Sequence, residues 1–218
     1  MPSDPLTLGF DTAASSCGAV LLCGDKVLAD AYEEMTKGQA ERIMPMLEEC
    51  LAHAGVGWRD LDRIGVGVGP GNFTGIRIAV SAARGLALGL GIPAIGVSNL
   101  ESLALGTEGL VVTSLDARRG SVYLQIHAND GKAEPCRTAL TELPEIAEGG
   151  TPTCIGFAAE EIAAHYGGQR APAKYYPASG IARIAAKAVV RPNERPAPLY
   201  LRGADAAPPR DAPPTILA

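Results

Sequence analysis

Aromatic side chains are scarce, with one tryptophan, six tyrosines and three phenylalanines making up 5% of 218 residues. Beside 26 glycines and 17 prolines, that scarcity fits a loop-rich α/β architecture better than a helix bundle. Basic excess is lacking too. The formal net charge is −5, whereas a domain that holds nucleic acid by itself neutralises phosphates with Lys and Arg. Work beside RNA would need a partner to supply most of the positive charge. The five cysteines form no CxxC pair, and their odd count excludes a closed disulfide framework and points to a reducing cytosol. The opening "MPSDPLTLGFD" lacks a basic stretch followed by an apolar one, so no secretion signal is visible. "GLALGLGIPAIGV" is apolar, yet its glycines, proline and modest length argue against a membrane span. The expectation is a cytoplasmic, soluble chain that uses no membrane.

Ready-made chemistry is also missing. The three histidines (53, 127 and 165) share no HxxxH or HExxH spacing, which predicts no metal site. No GxSxG elbow occurs, and no cysteine has a histidine partner nearby in sequence. The glycine-rich stretch "GVGVGPGNFTGIRIAV" fails both common phosphate readings. A Walker A loop needs Lys and Ser or Thr after its last glycine, where this chain has Ile76, Arg77 and Ile78. A GxGxxG fingerprint needs a third glycine where Asn72 stands. What remains is a strand-to-helix turn whose glycines permit close backbone approach, or an anion held by the amides of the next helix.

What is present reads as α/β. Short apolar runs at 6–13, 17–25 and 26–34 predict a meander. A helix follows, with Thr36 and Gln39 at capping-box spacing, Ile43, Met46, Leu47, Cys50 and Leu51 on one stripe, and Gly55 as its stop. "RIGVGVGPG" then reads as a buried strand, 74–90 as a helix, "PAIGVS" as a strand and "NLESLALG" as a short helix, an order that implies a right-handed crossover. The helix over 74–90 is apolar on nearly every face, so either this chain or another covers it. Strands at 110–116 and 121–127, another at "TCIGFA", and helices at 159–166 and 178–190 complete the pattern. The boundaries expected are a first lobe at 1–107, a shorter second lobe at 108–202 and a disordered Ala/Pro-rich tail at 203–218.

An internal echo supports two lobes. "LGFDTAASSCGAVLL" and "TSLDARRGSVYLQIH" share one plan of strand, Asp, polar turn, Gly and strand, which puts Asp11 and Asp116 in matching places. Asp11, Thr12 and Asp116 are therefore candidate nucleotide or phosphate-loop groups. Alternatively, each Asp closes its own turn as an Asx cap.

"LGFDTA", "QAERIMPMLEECL", the block "GVGVGPGNFTGIRIAVSAARGLALGLGIPAIGVSNLESLA", "LDARRGSVY" and "PLYLR" together resemble the TsaB (YeaZ) family. This is the glycoprotease-like subunit family of bacterial tRNA threonylcarbamoyladenosine synthesis, and the likeness runs over residues 6–202. The resemblance implies an α/β fold of the actin-like, hexokinase-like (ASKHA) type, duplicated into two lobes with mixed sheets flanked by helices. It implies partners as well: a paralogous TsaD-type catalytic subunit that carries the metal, a TsaE-type ATPase, a homodimer when alone, and tRNA met only through the complex. In that catalytic relative the matching segment resembles H-M-E-G-H, whose histidines hold the metal. Here Asn99 and Leu103 take those places, and leucine has no lone pair to donate.

The family's reading is thus a non-catalytic scaffold with no catalytic residue, no metal and no tightly bound cofactor, with ATP or ADP conceivable at the complex interface. The partner-binding residues expected from the two N-terminal-lobe helices are Ile43, Met46, Leu47, Cys50, Ile76, Val80, Ala83 and Leu86. Charge at Leu47 or Val80 is then expected to break the complex while sparing the fold. The alternative is a stand-alone ASKHA-type small-molecule kinase or nucleotide hydrolase, and the brevity of the second lobe argues against it.

Overall fold

The computed structural model describes residues 4–128, 131–146, 149–191 and 194–201; the expected tail lies outside them. Strands β1 (Leu6–Asp11), β2 (Ser16–Cys23), β3 (Lys26–Glu34), β4 (Arg63–Gly67) and β5 (Ala94–Val97) form one sheet in the order β3-β2-β1-β4-β5. The first three run antiparallel as a meander, while β4 and β5 join in parallel. A second sheet holds β6 (Val111–Asp116), β7 (Ser121–Ala128), β8 (Gly131–Lys132), β9 (Cys136–Ala139), β10 (Thr153–Gly156) and β11 (Gln169–Arg170). Its order is β11-β10-β6-β7-β8, with β9 also on β7. Each lobe thus has an Asp-ended strand, an antiparallel neighbour on one side and parallel strands on the other. That is the duplicated ASKHA plan.

Five α-helices cover these sheets: α1 (Gln39–Ala54), α2 (Phe73–Leu90), α3 (Asn99–Ala104), α4 (Ala159–Tyr166) and α5 (Pro177–Lys187). Strand alternation assigns their faces. Leu8, Phe10, Ala19, Leu21, Ile64 and Val66 point into the cluster shared with α1 and α2, while Val20 and Leu22 meet Ala182 of α5 on the other side. Glycines sit where α5 crosses. A Cβ on Gly9 would lie 2.5 Å from Ala182 Cβ, and one on Gly65 would lie 2.7 Å from Ala185 Cβ. Glycine inside a strand here means close approach of a helix rather than a bulge. Arg63 secures the far end of α5 by donating from Nη1 to the carbonyls of Ala185, Ala186 and Ala188 at 3.0–3.2 Å, the C-terminal oxygens that a helix leaves unpaired.

Two expectations need correction. The helix expected at 178–190 is real, but it packs on the first sheet, so the division at 107/108 does not separate the lobes. The capping box of Thr36 and Gln39 does not form: Gly38 is the N-cap of α1, and the Gln39 side chain turns back to donate to Met35 O at 3.1 Å. For α2, which this chain or another was expected to cover, this chain covers one face only. Ile76, Ala79, Val80 and Ala83 face the sheet, while Phe73, Arg77, Ser81, Arg84, Gly85, Leu88 and Gly89 are exposed. With 18 residues and a mean hydropathy of 1.3, α2 is the one described helix long and apolar enough to cross a membrane. Its inner face is a layer of the α/β fold.

After α5 the chain returns as a strap. Pro196 is buried close to Gly96, the Leu199 amide donates to Val68 O at 2.8 Å, and the Tyr200 ring lies 5.1 Å from that of Phe73. Leu201 then packs with Leu100 of α3 and with Ala117 and Tyr123 of the second lobe. The strap therefore ties the glycine loop of one lobe to the hairpin of the other.

Candidate functional site

Ligands of open α/β sheets sit at the carboxyl ends of parallel strands, and here β1 and β4 end at Asp11 and Gly67. Asp11 is 2% exposed. Its Oδ1 accepts from Asn99 Nδ2 at 3.0 Å, and its Oδ2 accepts from the Ala13 amide at 3.2 Å. Asn99 is shared, since its own Oδ1 accepts from the Gly69 amide at 3.0 Å. Burial pushes the Asp11 carboxyl above the usual carboxylate range, opposed by the hydrogen bonds from Asn99 and from the turn amides.

The glycine loop is closed by its own chain. The Asn72 amide donates to Ala13 O at 2.7 Å. Asn72 Oδ1 caps α2 by accepting from the amides of Thr74 and Gly75. Thr12 Oγ1 donates to Gly75 O at 2.7 Å, and a Cβ on Gly75 would run into the Thr12 carbonyl. The amides that an anion would need at this helix start are thus engaged internally. Asp11 and Thr12 serve the turn here, in keeping with the Asx alternative.

Asp116 lies elsewhere, exposed at the tip of the second lobe, where its Oδ1 accepts from the Arg118 amide at 2.7 Å. In the turn that follows, Arg118, Arg119 and Gly120 have φ of 66°, 52° and 73°. For an L-residue the left-handed region costs roughly 1–2 kcal/mol, and two arginines accept it in succession.

Among the described residues no group of three or more His, Cys, Asp or Glu side chains could hold an ion. Asn99 is bonded as above, and Leu103 packs against Val111 and Ile155. Burial pushes the thiols of Cys17, Cys50 and Cys154 up to about 11, so none offers a thiolate near neutrality.

The expected partner-binding residues mostly face the wrong way. Ile43, Met46, Leu47, Cys50, Ile76, Val80 and Ala83 are each at most 3% exposed, packed in the first lobe's own core. Leu86 is half-buried at the same cluster. Their stripe is apolar because it covers this chain's sheet. The outward face of α2 remains, spaced as one helical stripe through Arg77, Ser81, Arg84, Gly85 and Leu88, with Leu88 81% exposed. At its start, Arg77 stacks 3.9 Å over the Phe73 ring and donates from Nε to Tyr200 OH at 3.0 Å. The sequence did carry a signal for this face, the polar stripe of Arg77, Ser81 and Arg84 at i, i+4 and i+7, which the Ala, Gly and Leu residues around it obscured. The Phe73–Tyr200 contact spans too much chain to be read.

The profile of the TsaD family, tRNA N6-adenosine threonylcarbamoyltransferase, matches residues 31–153. The tRNA threonylcarbamoyladenosine biosynthesis protein TsaB of Escherichia coli is 37% identical over 128 residues, 56% of this chain and 55% of that protein. The match thus spans about half the length of such curated relatives. An uncharacterized protein of Mycobacterium tuberculosis is 31% identical over 92% of this chain and 93% of its own. YeaZ from Pseudomonas aeruginosa superposes with a TM-score of 0.69 at 25% identity, over 83% of this chain and 90% of that one. Component A of the (R)-2-hydroxyglutaryl-CoA dehydratase of Acidaminococcus fermentans shares the fold alone, with a TM-score of 0.53 at 11% identity over 84% and 98% of the two chains.

Proposed function

The chain belongs to the threonylcarbamoyltransferase-related family, on the branch named TsaB or YeaZ, and from that membership we propose that it is a non-catalytic subunit that binds a TsaD-type enzyme and enables it to modify tRNA. A role in threonylcarbamoyladenosine synthesis follows from the family; pairing and the absence of chemistry are the proposal. The observation that carries it is the outward face of α2. There Leu88, Gly85 and Gly89 stand in water on a helix whose other side is core. Exposed glycine inside a helix costs about 0.5–1 kcal/mol relative to alanine, and this fold does not need it, since a Cβ at Gly85 or Gly89 would meet no neighbour. Glycine on a helix face lets a second helix approach closely. Against chemistry of its own stand the engaged amides of the glycine loop and the Asp11–Asn99 pair, which has the geometry of a buried structural bond.

In the working assembly a TsaE-type ATPase completes the set, in the cytoplasm, and tRNA is modified by the partner. The test is co-elution of the full chain with the TsaD-type enzyme, comparing wild type with Leu88→Glu and Gly85→Leu. Loss of co-elution by folded variants supports the reading, and equal co-elution contradicts it. Robust ATP turnover by the chain alone would favour the kinase or hydrolase alternative.

A further inference from the structure

The end of the second sheet displays groups that neither the fold nor the α2 face uses. Arg118 and Arg119 occupy the left-handed turn between β6 and β7, a conformation glycine or asparagine takes at lower strain. The turn is rigidly held: the Ser121 amide donates to Arg118 O at 3.0 Å, the Ala117 amide to Ser121 O at 3.1 Å, and the Leu140 amide to Gly120 O at 3.2 Å. From β9, Arg137 reaches the same tip, where its Nη2 donates to Ser121 Oγ at 3.2 Å. Arg118 has a loose partner in Asp116 at 3.7 Å, whereas Arg119 makes no ion pair among the described residues. Just past the end of the neighbouring strand β10, Phe157 is 46% exposed, with its backbone pinned to Ser114 through N–H to O at 3.0 Å and from Ser114 Oγ to Phe157 O at 2.6 Å. Glu160 and Glu161 follow it, with Arg170 3.9 Å from Glu160. The Phe157 side is thus not positive, while the hairpin side is.

We infer that this sheet end is an RNA contact, with Arg118, Arg119 and Arg137 meeting phosphates of a single-stranded loop and Phe157 offering its ring to a base. Guanidinium forks match phosphate oxygens, and stacking of unpaired bases on aromatic rings is how loops are read. In a chain of net charge −5, three arginines held at one tip steer only a local stretch of backbone, so the contact adds to binding by a complex and does not replace it. The inference rests on the proposed role beside tRNA.

The test measures the affinity of a labelled, unmodified tRNA transcript for the assembled pair of this chain and the TsaD-type enzyme, over a series of salt concentrations. Arg118→Asn with Arg119→Asn keeps residues that tolerate the left-handed turn, and Arg137→Gln probes the site from outside it. Each lost phosphate contact is expected to lower the slope of log K against log salt by about 0.7. Phe157→Ala is expected to weaken binding about tenfold with the slope unchanged. Unaltered affinity and slope in pairs that still co-elute would overturn the inference, as would loss of co-elution at wild-type Tm, which would make the tip a protein contact. Failure of the wild-type chain to co-elute would instead count against the proposed function.

Discussion

Asp11 and Asn99 are 88 positions apart in sequence and 3.0 Å apart in space, and their pairing ties the end of β1 to the start of α3. Asn99→Ala would strip a donor from a buried carboxylate and an acceptor from the Gly69 amide. Leaving two buried groups unpaired should cost about 2–5 kcal/mol, read as a lowered urea midpoint. The pH dependence carries a sign. Burial raises the Asp11 carboxyl above its ordinary value near 4. Above that value the folded state therefore holds more proton than the unfolded one, and this residue's contribution to stability falls as pH rises toward the folded pKa. Asp11→Asn removes that penalty. Its Tm relative to wild type should accordingly climb between pH 4 and pH 7; a difference that stays flat or declines would refute a desolvated carboxyl. The sequence shows that Leu103 has no lone pair to offer a metal, but not that Asn99 bonds to Asp11. Spacing along a chain carries no information about a contact that only the folded sheet creates.

At the scale of elements, periodicity located strands and helices well and their partners less well. The apolar stripe of α1 marks which side is buried, not what buries it, and its own sheet does so. For α2 the polar stripe of Arg77, Ser81 and Arg84 faces outward with Leu88 on its line, and Val80 is core. Leu47→Glu and Val80→Glu should therefore unfold the chain rather than dissociate it, because each forces an unpaired charge into a core position. Leu88→Glu should leave Tm within the small range typical of surface changes and weaken co-elution with the partner enzyme. Thermal melts and gel filtration together separate the two classes. The strand glycines held information that composition alone obscured: Gly9 and Gly65 face the alanines of α5. Gly9→Val should cost about 3 kcal/mol or more by overpacking the α5 crossing, seen as a lower urea midpoint, and an unchanged midpoint would place α5 elsewhere.

For the whole molecule, the echo between the Asp11 and Asp116 hairpins was a true sign of duplication, since both occupy the same place in sheets of the same order. The boundary was misjudged because α5 and the strap at 196–201 return to the first lobe after the second is complete. No local propensity announces such a return. The outcome is an ASKHA body whose glycine loop is held by its own chain and which leaves Leu88 on α2 and Phe157 in the second lobe exposed. This body is proposed to act through contact with an enzyme partner. The most direct measurement is threonylcarbamoylation of an unmodified tRNA by the TsaD-type enzyme with its other components, comparing no added chain, wild-type chain and Leu88→Glu chain. Product is expected with the wild-type chain, little with the variant and none without the chain. Equal product in the absence of the chain would contradict the proposal.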